Sequence, residues 1–152
     1  MADVNVPPGM PGWIQKHVKQ YLESGGKDGH MWDSTAVGGP GPLPTLLLTT
    51  TGRKTGHKHL VPLIYGKTEG GVVIIASKGG APEHPGWYRN LSANPDVEVQ
   101  VGTDKFRARA STVEGAERTK LWDEMVKIYP PYTDYQQKTP RKIPVVLLKR
   151  SA

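Results

Sequence analysis

The stretch Asp96-Val97-Glu98-Val99-Gln100-Val101-Gly102-Thr103-Asp104-Lys105-Phe106-Arg107-Ala108-Arg109-Ala110 alternates apolar and polar residues on both sides of a glycine turn. Successive strand side chains point to opposite faces. Val97, Val99 and Val101 therefore oppose Asp96, Glu98 and Gln100, and Phe106, Ala108 and Ala110 oppose Lys105, Arg107 and Arg109. This is a hairpin with one apolar face and one wet face. C-terminal to it, Ser111-Thr112-Val113-Glu114 has the spacing of a capping box and predicts a helix to about residue 128, with Leu121, Trp122, Met125 and Val126 inward. Pro130-Pro131 ends that helix, a short polar segment follows, and a last strand is expected over residues 143–149. On the N-terminal side, strands are predicted at 45–51, 58–65 and 72–77. The first and last are nearly continuous in apolar residues, as central strands are. A short helix over 85–91 closes at Asn94-Pro95. Residues 27–44 read as a Gly/Pro-rich connector, and residues 1–11, with three prolines, as a flexible tail. Residues 13–23 separate on a helical wheel: Trp13, Ile14, His17, Val18, Tyr21 and Leu22 share one half, and Gly25-Gly26 stops the helix. That apolar half suits packing on the body of the fold; a Trp and two lysines equally suit a peripheral membrane or partner contact. About six strands, mostly hairpin-linked, with a helix at the N-terminus and helices after residue 110, predict an α+β antiparallel barrel. One domain over residues 12–152 follows the tail.

The chain's 152 residues match one domain. Glycine (18) and proline (14) are abundant, and with clear apolar periodicity around them they indicate many turns rather than disorder. The absence of cysteine excludes disulfides, thiolate metal sites and a Cys nucleophile. No run approaches 18 consecutive apolar residues, and residues 1–11 lack the basic start and apolar run of a secretory signal. A cytoplasmic protein is expected. The formal charge of +6 suits nucleic acid, a membrane surface or an anionic small molecule alike, so its placement has to decide.

Between Asp33 and Glu69 there is no acidic residue, while Arg53, Lys54, Lys58, Lys67, His57 and His59 all fall there. At the apex of that window lies Thr49-Thr50-Thr51-Gly52-Arg53-Lys54-Thr55-Gly56, between two strands. Glycines let a turn expose its N–H groups, hydroxyls add donors, and Arg and Lys make charge-assisted bonds to phosphate or carboxylate. The spacing is not that of a nucleotide phosphate loop, and an ordinary hairpin turn with solvated charges is the alternative. Ala76-Ser77-Lys78-Gly79-Gly80 leaves a buried strand, with Ser77 a donor and Lys78 a partner for an anion, or else is a plain exit turn. Pro85-Gly86-Trp87-Tyr88-Arg89-Asn90-Leu91 opens a helix whose first N–H groups suit an anion, while Trp87 and Tyr88 serve equally as core anchors. Tyr129, Tyr132 and Tyr135 cluster around Pro130-Pro131, and phenols suit an apolar pocket that needs stacking and a weak proton donor. His57 and His59 alone are too few for a metal site, so none is expected. No hydrolytic triad, carboxylate pair or dinucleotide fingerprint occurs. Nucleic-acid binding is disfavoured, since Phe106 is the only phenylalanine and no aromatic-basic stacking motif exists.

In order, Thr49 to Gly56, Ala76 to Gly80, Trp87-Tyr88-x-Asn90-Leu91-x-Ala93-Asn94-Pro95 and Tyr129-Pro130-x-Tyr132-x-x-Tyr135-Gln136 closely resemble the actinobacterial deazaflavin-dependent nitroreductase family, from about residue 45 to the C-terminus. The resemblance implies an FMN-binding-like split β-barrel that takes coenzyme F420, a polyanion with a flat tricyclic ring, a phosphodiester and a polyglutamate tail. It implies that Arg53, Lys54 and Thr55 hold phosphate and tail, and that His59, Leu60, Val61, Pro62, Leu63 and Ile64 form the strand beside the ring. Ala76, Ser77 and Lys78 would meet the ring edge and phosphate region. Gly86, Trp87, Tyr88, Arg89 and Asn90 would meet the ribityl side and ring. Tyr132 would close over the deazaflavin, with Tyr132 and Ser77 as catalytic residues and Ile64, Tyr129 and Tyr135 shaping the acceptor pocket. The implied activity is hydride transfer to quinones, activated enones such as coumarin-type lactones, or nitroaromatics. An F420-reducing dehydrogenase would be an indirect partner through the shared cofactor, and the protein itself a monomer or weak dimer. An FMN-binding oxidoreductase or flavin carrier on the same barrel is the alternative. Two positions depart from the family: Ile64 stands where its nitroreductase has a pocket tyrosine, with Tyr65 turned the other way by strand alternation, and His59 where arginine is common.

Overall fold

The computed structural model describes residues 4–5, 12–28, 30–33, 41–68, 71–77 and 82–151, with 4–5, 12–15 and 32–33 as backbone only. Among them are nine strands: β1 (Val4–Asn5), β2 (Met31–Asp33), β3 (Pro42–Thr51), β4 (Lys58–Ile64), β5 (Gly66–Thr68), β6 (Gly71–Ile75), β7 (Asp96–Val101), β8 (Asp104–Thr112) and β9 (Val145–Arg150). Four helices join them: α1 (Gly12–Glu23), α2 (Gly86–Ala93), α3 (Gly115–Ile128) and α4 (Pro131–Lys138).

The strand order is β1-β4-β3-β7-β8-β9-β6-β5, with β2 added to β3. Every pairing is antiparallel except that of β1 with β4. β4 lies beside one edge of this order and β5 forms the other, yet only Tyr65 separates them in the chain. A sheet whose opposite ends are consecutive in sequence has to curl on itself. The curled sheet is the split β-barrel, and the fold is α+β.

Curling gives each strand an inside and an outside, and strand alternation fills both. Leu46, Leu48, Val61, Tyr65, Val72, Ile74, Val97, Val99, Val146 and Leu148 point inward as one cluster. Val73, Ile75, Val145 and Leu147 point outward, beneath Leu121 and Met125 of α3 and Tyr132 of α4. Leu47 and Leu60 point outward elsewhere, beneath Val18 and Tyr21 of α1. The Leu-rich and Val-rich runs are continuous because both of their faces are covered.

Several elements differ from the sequence expectation. Of the expected tail, Val4–Asn5 pairs with Lys58 and His59. The connector contains β2 and the start of β3. The expected capping box does not form: Ser111 and Thr112 pair with Leu147 and Val146 as the end of β8, and Glu114, at the N-cap, makes no side-chain cap bond. Its carboxylate takes Lys142 Nζ at 2.8 Å instead. Gln100, expected on the wet face, is buried because α1 covers that part of the sheet, where Tyr21 Oη donates to the carbonyls of Thr45 (2.9 Å) and Gln100 (3.3 Å). The polar segment after Pro130-Pro131 is helix α4, which Pro131 opens because a proline at a first helical position loses no hydrogen bond. The apolar half of α1 lies on the sheet at Val18, Tyr21 and Leu22, while Trp13 and Ile14 of that half fall outside the described side chains. No helix is long and apolar enough to cross a membrane among the described residues.

Candidate functional site

The turn between β3 and β4 begins after the pair Thr51–Lys58. Gly52 N–H donates to His57 O (2.7 Å) and Gly56 N–H to Gly52 O (2.9 Å), closing a tight loop. Gly56 has φ +77°, which L-residues with side chains avoid, and a Cβ on Gly52 would stand 2.8 Å from His59 Nε2. Arg53, Lys54 and Thr55 are exposed at its tip. The turn is tied to α2 at two points, the Asn90 side chain and the Gly86 carbonyl, which accepts from Arg53 Nη1 at 3.5 Å. Asn90, buried, accepts on Oδ1 from Arg53 N (3.2 Å) and Arg53 Nη1 (2.8 Å), and gives Nδ2 to Thr50 Oγ1 (3.2 Å). Lys58 Nζ caps Thr51 Oγ1 at 3.0 Å. The ion pairs among the described residues join Lys19, Arg109, Lys142 and Arg150 to acids, and none neutralises Arg53 or Lys54. Lys67 does not belong to this group: it lies on β5, close enough to His30 to disfavour that imidazole's charged form.

β4 is paired with β3 along its length but with β1 only at Lys58 and His59. Among the described residues, β3 is the only strand paired with 60–64. Side chains here divide by face. Leu60 is buried beneath α1 and Val61 inside the barrel, so these two can contribute only backbone. Ile64 packs with the tyrosine cluster while Tyr65 lies inside the barrel, so the two do face opposite ways.

The end of β6 is the second component. Beyond the last ladder pair, Ile75–Val145, Ala76 N–H donates to Pro144 O at 3.0 Å. The carbonyls of Ala76 and Ser77 accept from Arg141 Nη1 (3.2 Å) and Nη2 (2.7 Å). Arg141 Nη1 also meets His84 Nδ1 at 3.1 Å. Burial, then the Arg141 and Arg89 guanidinium groups, hold His84 below the ordinary imidazole range, which leaves Nδ1 free to accept. Ser77 is half-buried; Lys78, Gly79 and Gly80 lie outside the described residues. The His84 ring stands 4.9 Å from that of Tyr88 on α2, so the β6 exit and the helix are in contact. The Tyr88 hydroxyl itself bonds Thr112 Oγ1 (2.8 Å), and Trp87 and Tyr88 pack partly against the barrel interior. Arg89 and Gly86 are exposed.

The tyrosines form the third component. Tyr129 and Tyr132 meet edge to face at 4.9 Å, Tyr132 and Tyr135 likewise at 6.3 Å, and Trp122 lies 6.2 Å from Tyr132. The hydroxyls of Tyr129 and Tyr135 bond each other at 2.8 Å. Burial, reinforced by its two neighbours, raises the Tyr132 phenol far above its ordinary pKa, and burial with the Tyr135 hydroxyl does the same to Tyr129. Both keep their protons at any physiological pH.

Among the described residues, those singled out in the sequence thus gather in three patches joined by direct contacts: the turn with α2, α2 with the β6 exit through His84 and Tyr88, and the β6 exit with α4 through Arg141. Neither His84 nor Arg141 was singled out in the sequence. Their only local signal is placement between prolines, His84 before Pro85 and Arg141 after Pro140. For a polyanion with a flat ring the donor set fits: exposed cations and hydroxyls stand at the turn, and half-buried Ile64 and Trp87 offer apolar surface.

Comparison with known proteins bears on the family and the fold. The family model described as F420H(2)-dependent quinone reductase matches residues 13–150. A Mycobacterium tuberculosis H37Rv protein named an F420H(2)-dependent quinone reductase is 39% identical over 150 residues, which is 91% of this chain and 96% of the relative. A solved F420-H2 dependent reductase (FDR-A) superposes with a TM-score of 0.65 at 47% identity, covering 70% of this chain and 94% of that one. A structure described as a domain-swapped dimer superposes with a TM-score of 0.68 at 42% identity, covering 90% of this chain and 97% of that one.

Proposed function

The chain belongs to the F420H(2)-dependent quinone reductase family, and from that membership we propose that it reduces quinones with coenzyme F420, using Tyr132 and Ser77 at the acceptor. The match across residues 13–150 carries this reading. When bound, the reduced cofactor supplies a hydride from C5. The chain's own residues do the rest. Lys54, Arg53 and Thr55 hold the anionic phosphate and tail, with Asn90 fixing the Arg53 guanidinium against α2 so that the charge is presented in one orientation. The backbone of 60–64 and the half-buried Ile64 side chain support the flat ring, with Ala76 contributing backbone only and Lys78, Trp87 and Tyr88 at its margins. A quinone that gains a hydride becomes an oxyanion that needs a proton. Tyr132 keeps its proton in this apolar setting and offers it, first as a hydrogen bond, to the oxygen where charge develops. Ser77 is the second donor. Tyr129 and Tyr135 satisfy each other's hydroxyls and wall the pocket, excluding water from the developing charge.

Ile64 gives this wall an aliphatic side chain where the resembling nitroreductase has a phenol. We place quinones and activated enones, including coumarin-type lactones, ahead of nitroaromatics as acceptors for that reason. The protein works in the cytoplasm as a monomer or weak dimer, sharing its cofactor with an F420-reducing dehydrogenase. Titration with oxidised F420 is expected to quench cofactor fluorescence with a micromolar midpoint, and a quinone is expected to consume reduced F420. A yellow purified protein that retains FMN and ignores F420 would replace this reading with the flavin-carrier one.

A further inference from the structure

Where β6 ends, its last carbonyls have left the ladder and require another partner. Ala76 O and Ser77 O find one in a single side chain, as Arg141 spreads two guanidinium nitrogens across the two successive carbonyls at 3.2 and 2.7 Å. A planar fork with fixed donor spacing can span two carbonyls at once, which a lysine ammonium cannot. The same residue is held from behind. Its carbonyl accepts Gln136 Nε2 at 2.7 Å, and Gln136 Oε1 accepts the Ile143 amide at 2.9 Å. Gln136 lies on α4, the helix that carries Tyr132 and Tyr135. One unbroken set of hydrogen bonds thus runs from the tyrosine helix through Arg141 to Ser77.

We propose that Arg141 is a positioning residue that sets the Ala76–Ser77 segment, and through it the Ser77 hydroxyl, at a fixed distance from the tyrosines of α4. This deepens the F420 reading and rests on it: Ser77 and Tyr132 serve one acceptor only if the two elements bearing them keep their spacing. Arg141 touches neither cofactor nor acceptor in this role. His84 buttresses the fork from the α2 side, and its neutral Nδ1 is the only state that can accept from it.

The test is a pair of double-variant cycles read by F420 binding, with hydrogen exchange of the cofactor-free protein as an independent readout. Arg141→Met keeps the bulk of the stem and removes the fork. It is expected to weaken F420 binding about tenfold and to speed amide exchange across residues 76–84 while leaving residues 49–56 unchanged. If Arg141 acts through Ser77, then in a Ser77→Ala background the same substitution costs less than about twofold, whereas in a Lys54→Ala background the full loss returns. Arg141→Lys, able to reach one carbonyl at a time, recovers part of the binding, and it stands in for the methionine variant in both cycles should that one fail to fold. Equal losses in both backgrounds would overturn the inference and make Arg141 a general stabiliser. So would unchanged exchange at 76–84, or an unchanged affinity in a wild type that binds F420. A wild type that does not bind F420, with exchange at 76–84 still raised by Arg141→Met, would overturn the F420 reading and the role in acceptor positioning with it, leaving only a fold contact.

Discussion

Asn90 carries more than its size suggests, because three groups from β3 and the turn after it converge on its amide. Its Oδ1 takes the Arg53 backbone and guanidinium N–H groups, and its Nδ2 goes to Thr50. Replacing it with alanine leaves a buried hydroxyl and an N–H without partners, so Asn90→Ala is expected to lower stability by about 1–3 kcal/mol, measured by urea denaturation. The same variant is expected to weaken F420 binding, since Arg53 loses its orientation. Lys54 has no such structural role, and Lys54→Ala should weaken cofactor binding without moving the melting temperature. Tyr132 behaves in the opposite way. Its phenol is the one of the three not bonded to another tyrosine hydroxyl, so Tyr132→Phe should cut turnover with a quinone by about 10²-fold or more while F420 affinity changes little. A phenylalanine variant that lost affinity and kept turnover would exchange the roles of the two residues. At this scale the sequence was informative about type: a Gly-rich turn with Arg and Lys, and a tyrosine cluster. It held no sign that Arg53 is fixed by Asn90, because the two are 37 positions apart and only folding brings them together.

At the level of elements, α1 shows how a helix end is made to fit a sheet. Tyr21 Oη accepts the Gly102 amide at 2.7 Å and donates to the Thr45 carbonyl, so the hydroxyl joins α1 to both β3 and the β7–β8 turn. Tyr21→Phe leaves that amide unpaired under the helix and should cost about 1–3 kcal/mol in denaturant unfolding. The two glycines after the helix are not equivalent. Both have positive φ, but a Cβ on Gly25 meets nothing within 4 Å, whereas one on Gly26 would lie 1.6 Å from the Gly102 carbonyl oxygen. Gly25→Ala should therefore cost about 1 kcal/mol from backbone strain alone. Gly26→Ala must in addition displace α1 from the sheet, and comparison of the two unfolding curves separates strain from contact. Elements with strong periodicity, α1 and the β7–β8 hairpin, were legible, as were the continuous apolar runs of β3 and β6. α4 was not, because its helix rests on Pro131 at its start and on packing of Tyr132 rather than on an apolar stripe. The capping-box motif at 111–114 was overridden because β9 offers Ser111 and Thr112 a ladder, and a backbone ladder outweighs a local cap.

For the whole molecule, burial makes charge unwelcome in two pH ranges. Desolvation, with Lys67 beside it, lowers the pKa of His30 from 6.5, and desolvation with Arg141 and Arg89 lowers that of His84. As pH falls below 6.5 the unfolded chain takes up protons that the folded one resists, so stability drops on that side. Burial raises Tyr21, Tyr65, Tyr129 and Tyr132 above 10.0. Above that pH the unfolded chain loses protons that the folded one retains, so stability drops there too. Melting temperatures measured from pH 5 to pH 11 should form a plateau between about 6.5 and 10 with a fall on either side, and the pair His30→Gln, His84→Gln should flatten the acid limb. A melting temperature that rose from pH 7 to pH 5.5 would contradict this account. Barrel closure belongs to the same scale. By itself the sequence marked β3, β4, β6, β7, β8 and β9, most of the turns and the positive window, because alternation, glycine and charge act locally along the chain, while the short strands β1, β2 and β5 left no such pattern. Tertiary structure alone decided that β4 and β5, one residue apart, lie toward opposite ends of one curled sheet. It also decided that Lys67 lies on β5, apart from the β3–β4 turn, and that Arg141 spans the carbonyls of Ala76 and Ser77. These depend on which distant backbone groups need partners once the sheet has closed, and no local pattern records that.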